Sequence, residues 1–289
     1  MESKILSVTN QNGKTVYNPT VPFDYEGKKY IGVRVDSLDS DLDSQTFFAY
    51  ERDKDTNLWE IDYSLGFLPL QDPAYVEING EMFILGVRVQ QEENGIKWKQ
   101  DIYRGDSIKN LENFTSGPIG IKDIRLVNLE DRIGIFTRPQ GKIGGKGKIG
   151  YLEVGNIDEL RTFTEDDWYN AKIIEGLFGD NLWGGVNQAI KLPGGEVGVI
   201  GHIAHKTINE ENKLEKHYYV MAFRFNPRKW LKTEFKIIAK RSDFPPSFSK
   251  RSPELDDIIF PAGIDDNTNN LYCGLSDFCI GQKKIKNPF

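Results

Sequence analysis

The chain has 289 residues, with 37 Lys and Arg against 43 Asp and Glu, for a net charge of −6. That length suits one large domain or two small ones and is enough to bury a sizeable core. An acid-leaning chain without a basic block excludes nucleic acid and anionic membrane from the expected partners. No signal peptide precedes Lys4 and no apolar run approaches the length of a membrane span, so the expected location is cytoplasmic. In that compartment Cys273 and Cys279 read as two thiols rather than one disulfide.

The first expected strand is the short apolar segment Ile5-Leu6-Ser7-Val8. Asn18-Pro19 then leads through Glu26-Gly27 to Tyr30-Ile31-Gly32-Val33-Arg34. Beyond Asp36, the acidic tract Asp39, Asp41, Asp43 lacks the mid-loop Gly and closing Glu of a calcium loop, and is expected to be a solvated connection into the strand Thr46–Tyr50. Leu70 to Arg88 reads as strand, tight turn, strand. Val76 and Ile78 alternate with polar neighbours, Asn79-Gly80 is a strong hairpin signal, and Met82 to Val87 is an apolar run. Here Asp72 opens the hairpin and Arg88 closes it, at the same spacing as Asn18 and Arg34.

The pattern recurs. Lys122-Asp123-Ile124-Arg125 leads through Glu130-Asp131 to Ile133-Gly134-Ile135-Phe136-Thr137-Arg138, with the step from Asp123 to Arg138 one position shorter than that from Asp72 to Arg88. Gly141 to Lys148 is rich in Gly and Lys; its backbone N–H groups and Lys148 are suited to a phosphate, although the spacing is not that of a Walker loop and no helix is expected to follow. Asn187-Gln188 leads through Gly194-Gly195 to a strand ending in His202, at the spacing of Asp123 and Arg138, and a polar insertion runs from Asn209 to Lys216. His202 and His205, three apart on a strand, point to opposite faces, so no metal site is expected. Finally Pro261-Ala262 leads through Asn267 to Leu271-Tyr272-Cys273-Gly274-Leu275-Ser276-Asp277, where the step from Ala262 to Asp277 repeats that spacing again.

Five such units, closing on polar residues at positions 34, 88, 138, 202 and 277, predict an all-β chain folded as a five-bladed β-propeller. The expectation is one domain over 1–289, with blades at about 15–62, 66–114, 117–163, 170–238 and 255–285, closed by Ile5–Val8 pairing with the last blade. The innermost strand of each blade lines the channel. The repeat register therefore gathers Asn18, Asp72, Asp123, Arg125 and Asn187 with Arg34, Arg88, Arg138, His202 and Asp277 nearby. Such a ring is poor for core packing, because buried charge must be paired. The competing reading is that each Asp or Asn caps its own hairpin and each Arg pairs locally.

Gln71-Asp72-Pro73, Phe136-Thr137-Arg138-Pro139, Trp183-Gly184-Gly185 before the strand ending at His202, and Phe260-Pro261-Ala262-Gly263 with Tyr272 to Asp277 resemble glycoside hydrolase family 130 over about residues 15 to 285. Members of that family are five-bladed propellers, mostly β-mannoside phosphorylases with some β-mannosidases. The resemblance implies that Asp72 matches the proton donor, that Asn18, Arg34 and Asp277 match sugar-binding positions, and that Arg138 and His202 match residues holding inorganic phosphate. Two departures stand out. Ala74 replaces the Arg of the donor motif, and Leu182 and Trp183 lie where a Lys usually precedes the fourth-blade glycines. Lys122-Asp123-Ile124-Arg125 also resembles the donor motif, so Asp123 competes with Asp72 for the acid role.

These residue types suit glycosidic bond cleavage. A carboxylic acid must protonate the leaving oxygen, and an inverting hydrolase needs a second carboxylate to activate water. Asp36, Asp123 and Asp277 are candidates for that second group. A phosphorylase needs cations to hold its nucleophile instead, and Arg138, His202 and Lys148 are the candidates. The reading is an inverting carbohydrate-active enzyme acting on a short β-mannoside or related glycoside. Phosphorolysis is preferred over hydrolysis, with a non-catalytic sugar-binding propeller as the alternative from another class. No cofactor is expected beyond inorganic phosphate as co-substrate. The expected partner is a small oligosaccharide or glycoside, and a homo-oligomer is left open.

Overall fold

The structure is a computed structural model that describes residues 2–93 and 95–289. Its antiparallel ladders group into five runs of four strands. The first is Thr15–Pro19, Lys28–Asp36, Gln45–Asp53 and Leu58–Ile61. The second is Gln71–Ile78, Glu81–Glu92, Gly95–Gly105 and Glu112–Ser116. The third is Ile121–Asn128, Ile133–Pro139, Gly150–Val154 and Lys172–Ile173. The fourth is Trp183–Lys191, Val197–Ile208, Leu214–Asn226 and Lys236–Ala239. The fifth is Asp257–Asp265, Asn270–Leu275 and Cys279–Lys284, completed by Ser3–Thr9 from the other end of the chain.

The sheets themselves do not separate into five. One has 14 strands and two have four, because short parallel pairings join the fourth run to the fifth at His217↔Asp257 and the fifth to the first at Ser7↔Leu58. The first strand of each run touches the first strand of the next, and that of the fifth returns to Thr15–Pro19. Hydrophobic clusters fill every gap between successive runs. Phe48 shares a cluster with Ile84, Leu85 with Ile124, Phe136 with Val199, Ile200 with Ile259, and Ile280 with Val33. Apolar alternation on both faces of each strand is what permits this, since each run is sandwiched by two neighbours.

Several local expectations are met. Asn79 and Gly80 have φ of 54° and 81°, the paired positive values of a tight hairpin turn whose twist matches its strands, and Ile78 faces Glu81 across it. Ser3–Leu6 pairs antiparallel with Ile280–Lys283, so the N-terminal segment supplies the outer strand of the last run. Two expectations change. The polar stretch Asn209–Lys216 is the tip of a long hairpin rather than an insertion, with Leu214 already paired to Ile208. In the Gly/Lys segment, Gly141–Gly144 forms a single helical turn. No helix among the described residues is long and apolar enough to cross a membrane.

Candidate active site

Every first strand carries one irregular step in its pairing with the second. The steps fall at Tyr17/Pro19, Gln71/Ala74, Lys122/Arg125, Val186/Gln188 and Pro261/Gly263. Asn18, Asp72, Asp123, Asn187 and Ala262 lie inside them, so the repeat register read from the sequence is a register of β-bulges. A bulge re-aims a side chain that regular pleating would send into the gap between sheets. Asn18, Asp72 and Asp123 have φ of 43°, 50° and 50°, a left-handed conformation that Asn and Asp tolerate better than other side-chain-bearing residues. Asp277, at the end of its hairpin, also has φ of 50°.

Around Asp72 the arrangement is an acceptor held by two donors from the first run. Asn18 Nδ2 donates to Asp72 Oδ1 at 2.7 Å, and Arg34 Nη1 donates to the same oxygen at 3.0 Å. Both bonds go to Oδ1, and Asp72 keeps 22% of its side-chain surface exposed. Arg34 is itself locked from behind by Asp36, through Nε at 3.0 Å and Nη2 at 2.9 Å. Asp36 is fully enclosed and accepts further from Thr15 Oγ1 at 2.8 Å, Tyr17 OH at 2.7 Å, Ser44 Oγ at 2.8 Å and Lys250 Nζ at 3.0 Å. With its acceptor positions filled, Asp36 orients Arg34 and has nothing left to activate water.

The second group comes from the third and fourth runs. Arg138 Nη1 donates to Asp123 Oδ2 at 3.0 Å, and His202 Nε2 lies 4.0 Å from the same oxygen. His202 Nδ1 meets Asn187 Oδ1 at 2.8 Å; with that oxygen as acceptor, Nδ1 carries the proton and Nε2 keeps its lone pair. Burial lowers the His202 pKa to about 3, with Arg138 and Arg125 adding to the effect and Asp123 opposing it, so the ring is neutral at ordinary pH. Burial pushes the Asp123 carboxyl up, but Arg138, with Arg125, outweighs it and holds it below its usual value. Gly185 makes this cluster possible. A Cβ there would stand 2.5 Å from Asp123 Oδ2 and 3.0 Å from His202 Cε1.

Asp277 joins the first group. It is half-buried and has no hydrogen bond or ion pair among the described residues. Burial raises its pKa to about 6, against the pull of Arg34 and with the repulsion of Asp72 and Asp41. Lys122 lies between the groups, its ammonium feeling Arg138, Asp123, Asp72 and Arg34. Four buried polar atoms here have no hydrogen-bond partner among the described residues: Asn18 Oδ1, Arg138 Nε, Asn187 Nδ2 and His202 Nε2. Each such group costs about 1–3 kcal/mol if it stays empty, which suits a site built to bind something polar.

Three of the residues expected at the site are placed elsewhere. Arg88 pairs with Asp101 and donates to Tyr103 OH at 2.9 Å within its own run, which is the local pairing weighed as the alternative. Lys148 is exposed and lies 3.8 Å from Glu175. Arg125 is buried and donates to the carbonyls of Asn187 and Ile124, both at 2.9 Å, and with Asn187 lines a cavity of about 420 Å³. The sequence reading missed Lys250 and Asp41. Lys250 Nζ is 2.7 Å from Asp41 and comes from the linker between the fourth and fifth runs, outside any repeat. Lys122 could have been found, since it precedes Asp123 in the motif.

The fold has close counterparts among solved structures. A mannose phosphorylase from Leishmania mexicana, MPT-4, in complex with phosphate ion, superposes with a TM-score of 0.91 at 33% identity over 100% of this chain and 89% of that one. MPT-1, a GDP-Man-dependent mannosyltransferase from Leishmania mexicana, gives 0.89 at 30% identity over 100% and 90%. A β-1,2-mannobiose phosphorylase from Listeria innocua shares the fold alone, with a TM-score of 0.65 and 16% identity over 98% and 91%. The likeness to glycoside hydrolase family 130 therefore holds at the level of the propeller fold. No curated protein matches the chain. The match over residues 1–289 places the chain in the family described as Protein of unknown function (DUF1861), and it belongs to that family.

Proposed function

We propose that this carbohydrate-active enzyme cleaves a short β-mannoside with inversion by transfer to inorganic phosphate, the five runs acting as the blades of one domain. The observation that carries the reading is the pairing of an oriented, accessible carboxylate, Asp72, with a neighbouring cluster of unpartnered buried groups on Arg138, Asn187 and His202. Asp72 is the general acid. Asn18 and Arg34 both bind Oδ1, which leaves Oδ2 to carry the proton delivered to the leaving oxygen. Asp123 suits that task less well, because its Oδ2 is tied to Arg138 and its carboxyl is held ionised. The nucleophile would sit beside Arg138 and His202, held by the guanidinium charge. Phosphate needs no general base, which fits the saturated Asp36. The relatives named for mannose and for bound phosphate favour mannose as the sugar and phosphate as the acceptor.

A second reading rests on Asp277. Its unpaired carboxylate, with a pKa near 6, is able to take a proton from water and would support inverting hydrolysis at the same site. Incubation with mannobiose and longer manno-oligosaccharides, with and without phosphate, separates the two. Mannose 1-phosphate formed only with phosphate supports phosphorolysis, free mannose at an equal rate in both supports hydrolysis, and binding without turnover sinks both. A parallel incubation with GDP-mannose tests a sugar nucleotide as donor.

A further inference from the structure

We infer that the cavity lined by Arg125 and Asn187 is a second binding site, for a small organic monocarboxylate whose other end carries hydroxyl or ammonium donors. Asp72 and Asp123 stand near the beginning of their first strands, and neither lines this cavity. Glu77, Asn128, Lys191 and Asp265 stand at or next to the far ends of theirs, and all four line it. Val21 adds the first run, so all five runs enclose about 420 Å³ at the ends of the strands opposite to the proposed acid. Ala189 and Ile264 belong to its apolar wall, and a concave space of this size with a few convergent polar groups suits a small molecule.

Arg125 is what makes this space a site. It is 4% exposed, and burial pushes its pKa down. Its Nε and Nη1 donate to two backbone carbonyls, but it has no ion pair among the described residues. Its Nη2 has no hydrogen-bond partner among them and is not sealed from solvent. Arg241, also buried and without a carboxylate, has all three nitrogens bonded, to Ser276, Ser247 and the carbonyls of Phe244 and Pro245. A buried guanidinium with an open donor and no counter-charge favours an anionic oxygen in the cavity. The rim limits that anion to one charge. Among the described residues Asp266 has no hydrogen bond or ion pair, Glu77 accepts only from Tyr75 OH at 3.5 Å, and Lys191 is 3.3 Å from Glu130. A dianion such as phosphate would set its second charge against these carboxylates with no second free cation. A carboxylate on Arg125, with donors directed at Asp266 and Glu77, satisfies both ends.

Titration calorimetry with gluconate, with 4-aminobutyrate and with the neutral polyol sorbitol tests the site on the wild type, Arg125→Met and Ala189→Leu. The first variant removes the guanidinium, and the second leaves it in place while filling the cavity from the fourth run. The expected result is binding of one or both carboxylates but not of sorbitol, at least ~10-fold weaker in both variants. Gluconate alone identifies hydroxyl groups as the recognised tail, and 4-aminobutyrate alone an ammonium. Should Arg125→Met fail to fold, Ala189→Leu decides, with its melting temperature showing that it is folded. Binding that inorganic phosphate displaces, that sorbitol matches, or that survives in Ala189→Leu overturns the site. A wild type that binds neither carboxylate also overturns it, and all of these results leave the phosphorolysis reading standing.

Discussion

Replacing Asp277 with Asn is expected to make the protein more stable and less active. In the folded state the pKa of Asp277 rises from the ordinary 3.8 to about 6, because burial and the neighbouring Asp72 and Asp41 outweigh Arg34 and Lys250. A raised carboxyl pKa means that the folded protein binds the proton more tightly than the unfolded chain. The contribution is favourable at low pH and turns into a cost as pH rises through about 6. At ~1.4 kcal/mol per tenfold, the gap between 3.8 and about 6 corresponds to roughly 3 kcal/mol of destabilisation at pH 8, where the folded protein holds the charged form. Asparagine keeps the shape and removes the charge. Urea unfolding of the two proteins at pH 8 should favour Asp277→Asn by about 2–3 kcal/mol, and the advantage should shrink toward zero near pH 4. Turnover should fall in the same variant, since a carboxylate kept at such a cost is retained for the site rather than for the fold. A variant less stable than the wild type at pH 8, or equally changed at both pH values, refutes the reasoning.

Asp72→Asn should lower kcat by at least ~10²-fold, checked with the substrate that turns over; unchanged activity moves the acid role to Asp123. Lys250→Met leaves the enclosed Asp36 with Arg34 as its one remaining cation. A cost of about 3 kcal/mol and a fall in melting temperature of about 6–10 °C are expected by calorimetry, and a fall under about 2 °C would show that Lys250 does not hold the site together. His202, with a folded pKa of about 3 against an ordinary 6.5, is charged in the unfolded chain first as pH drops. Its contribution to stability is complete above pH 6.5 and is lost on the way down, by about 3 kcal/mol at pH 4.5. Asp277 works the opposite way over part of that range, so the acid limb should steepen in Asp277→Asn and flatten when His202→Asn is added. An unaltered limb after His202→Asn would mean that His202 is not the group responsible.

The sequence alone determined the hairpin signals and their register, because these are local. Asn79-Gly80 specifies its turn without help from the rest of the chain, and the step from Asn18, Asp72, Asp123 or Asn187 to the polar end of the next strand survives as a near-constant spacing. What the sequence could not decide is which partner each charged side chain meets, since that depends on atoms from other runs. Arg34 and Arg88 occupy the same place in their repeats. Arg34 reaches across to Asp72, whereas Arg88 turns back to Asp101, because Asp101 happens to stand on the next strand of its own run. Lys250 and Asp36 belong to opposite ends of the chain, and only ring closure brings them to 3.0 Å. Spacing along a strand records which residues share a register. The contacts that orient Asp72 and leave Lys122 without an ion pair among the described residues exist only once the runs have closed on one another.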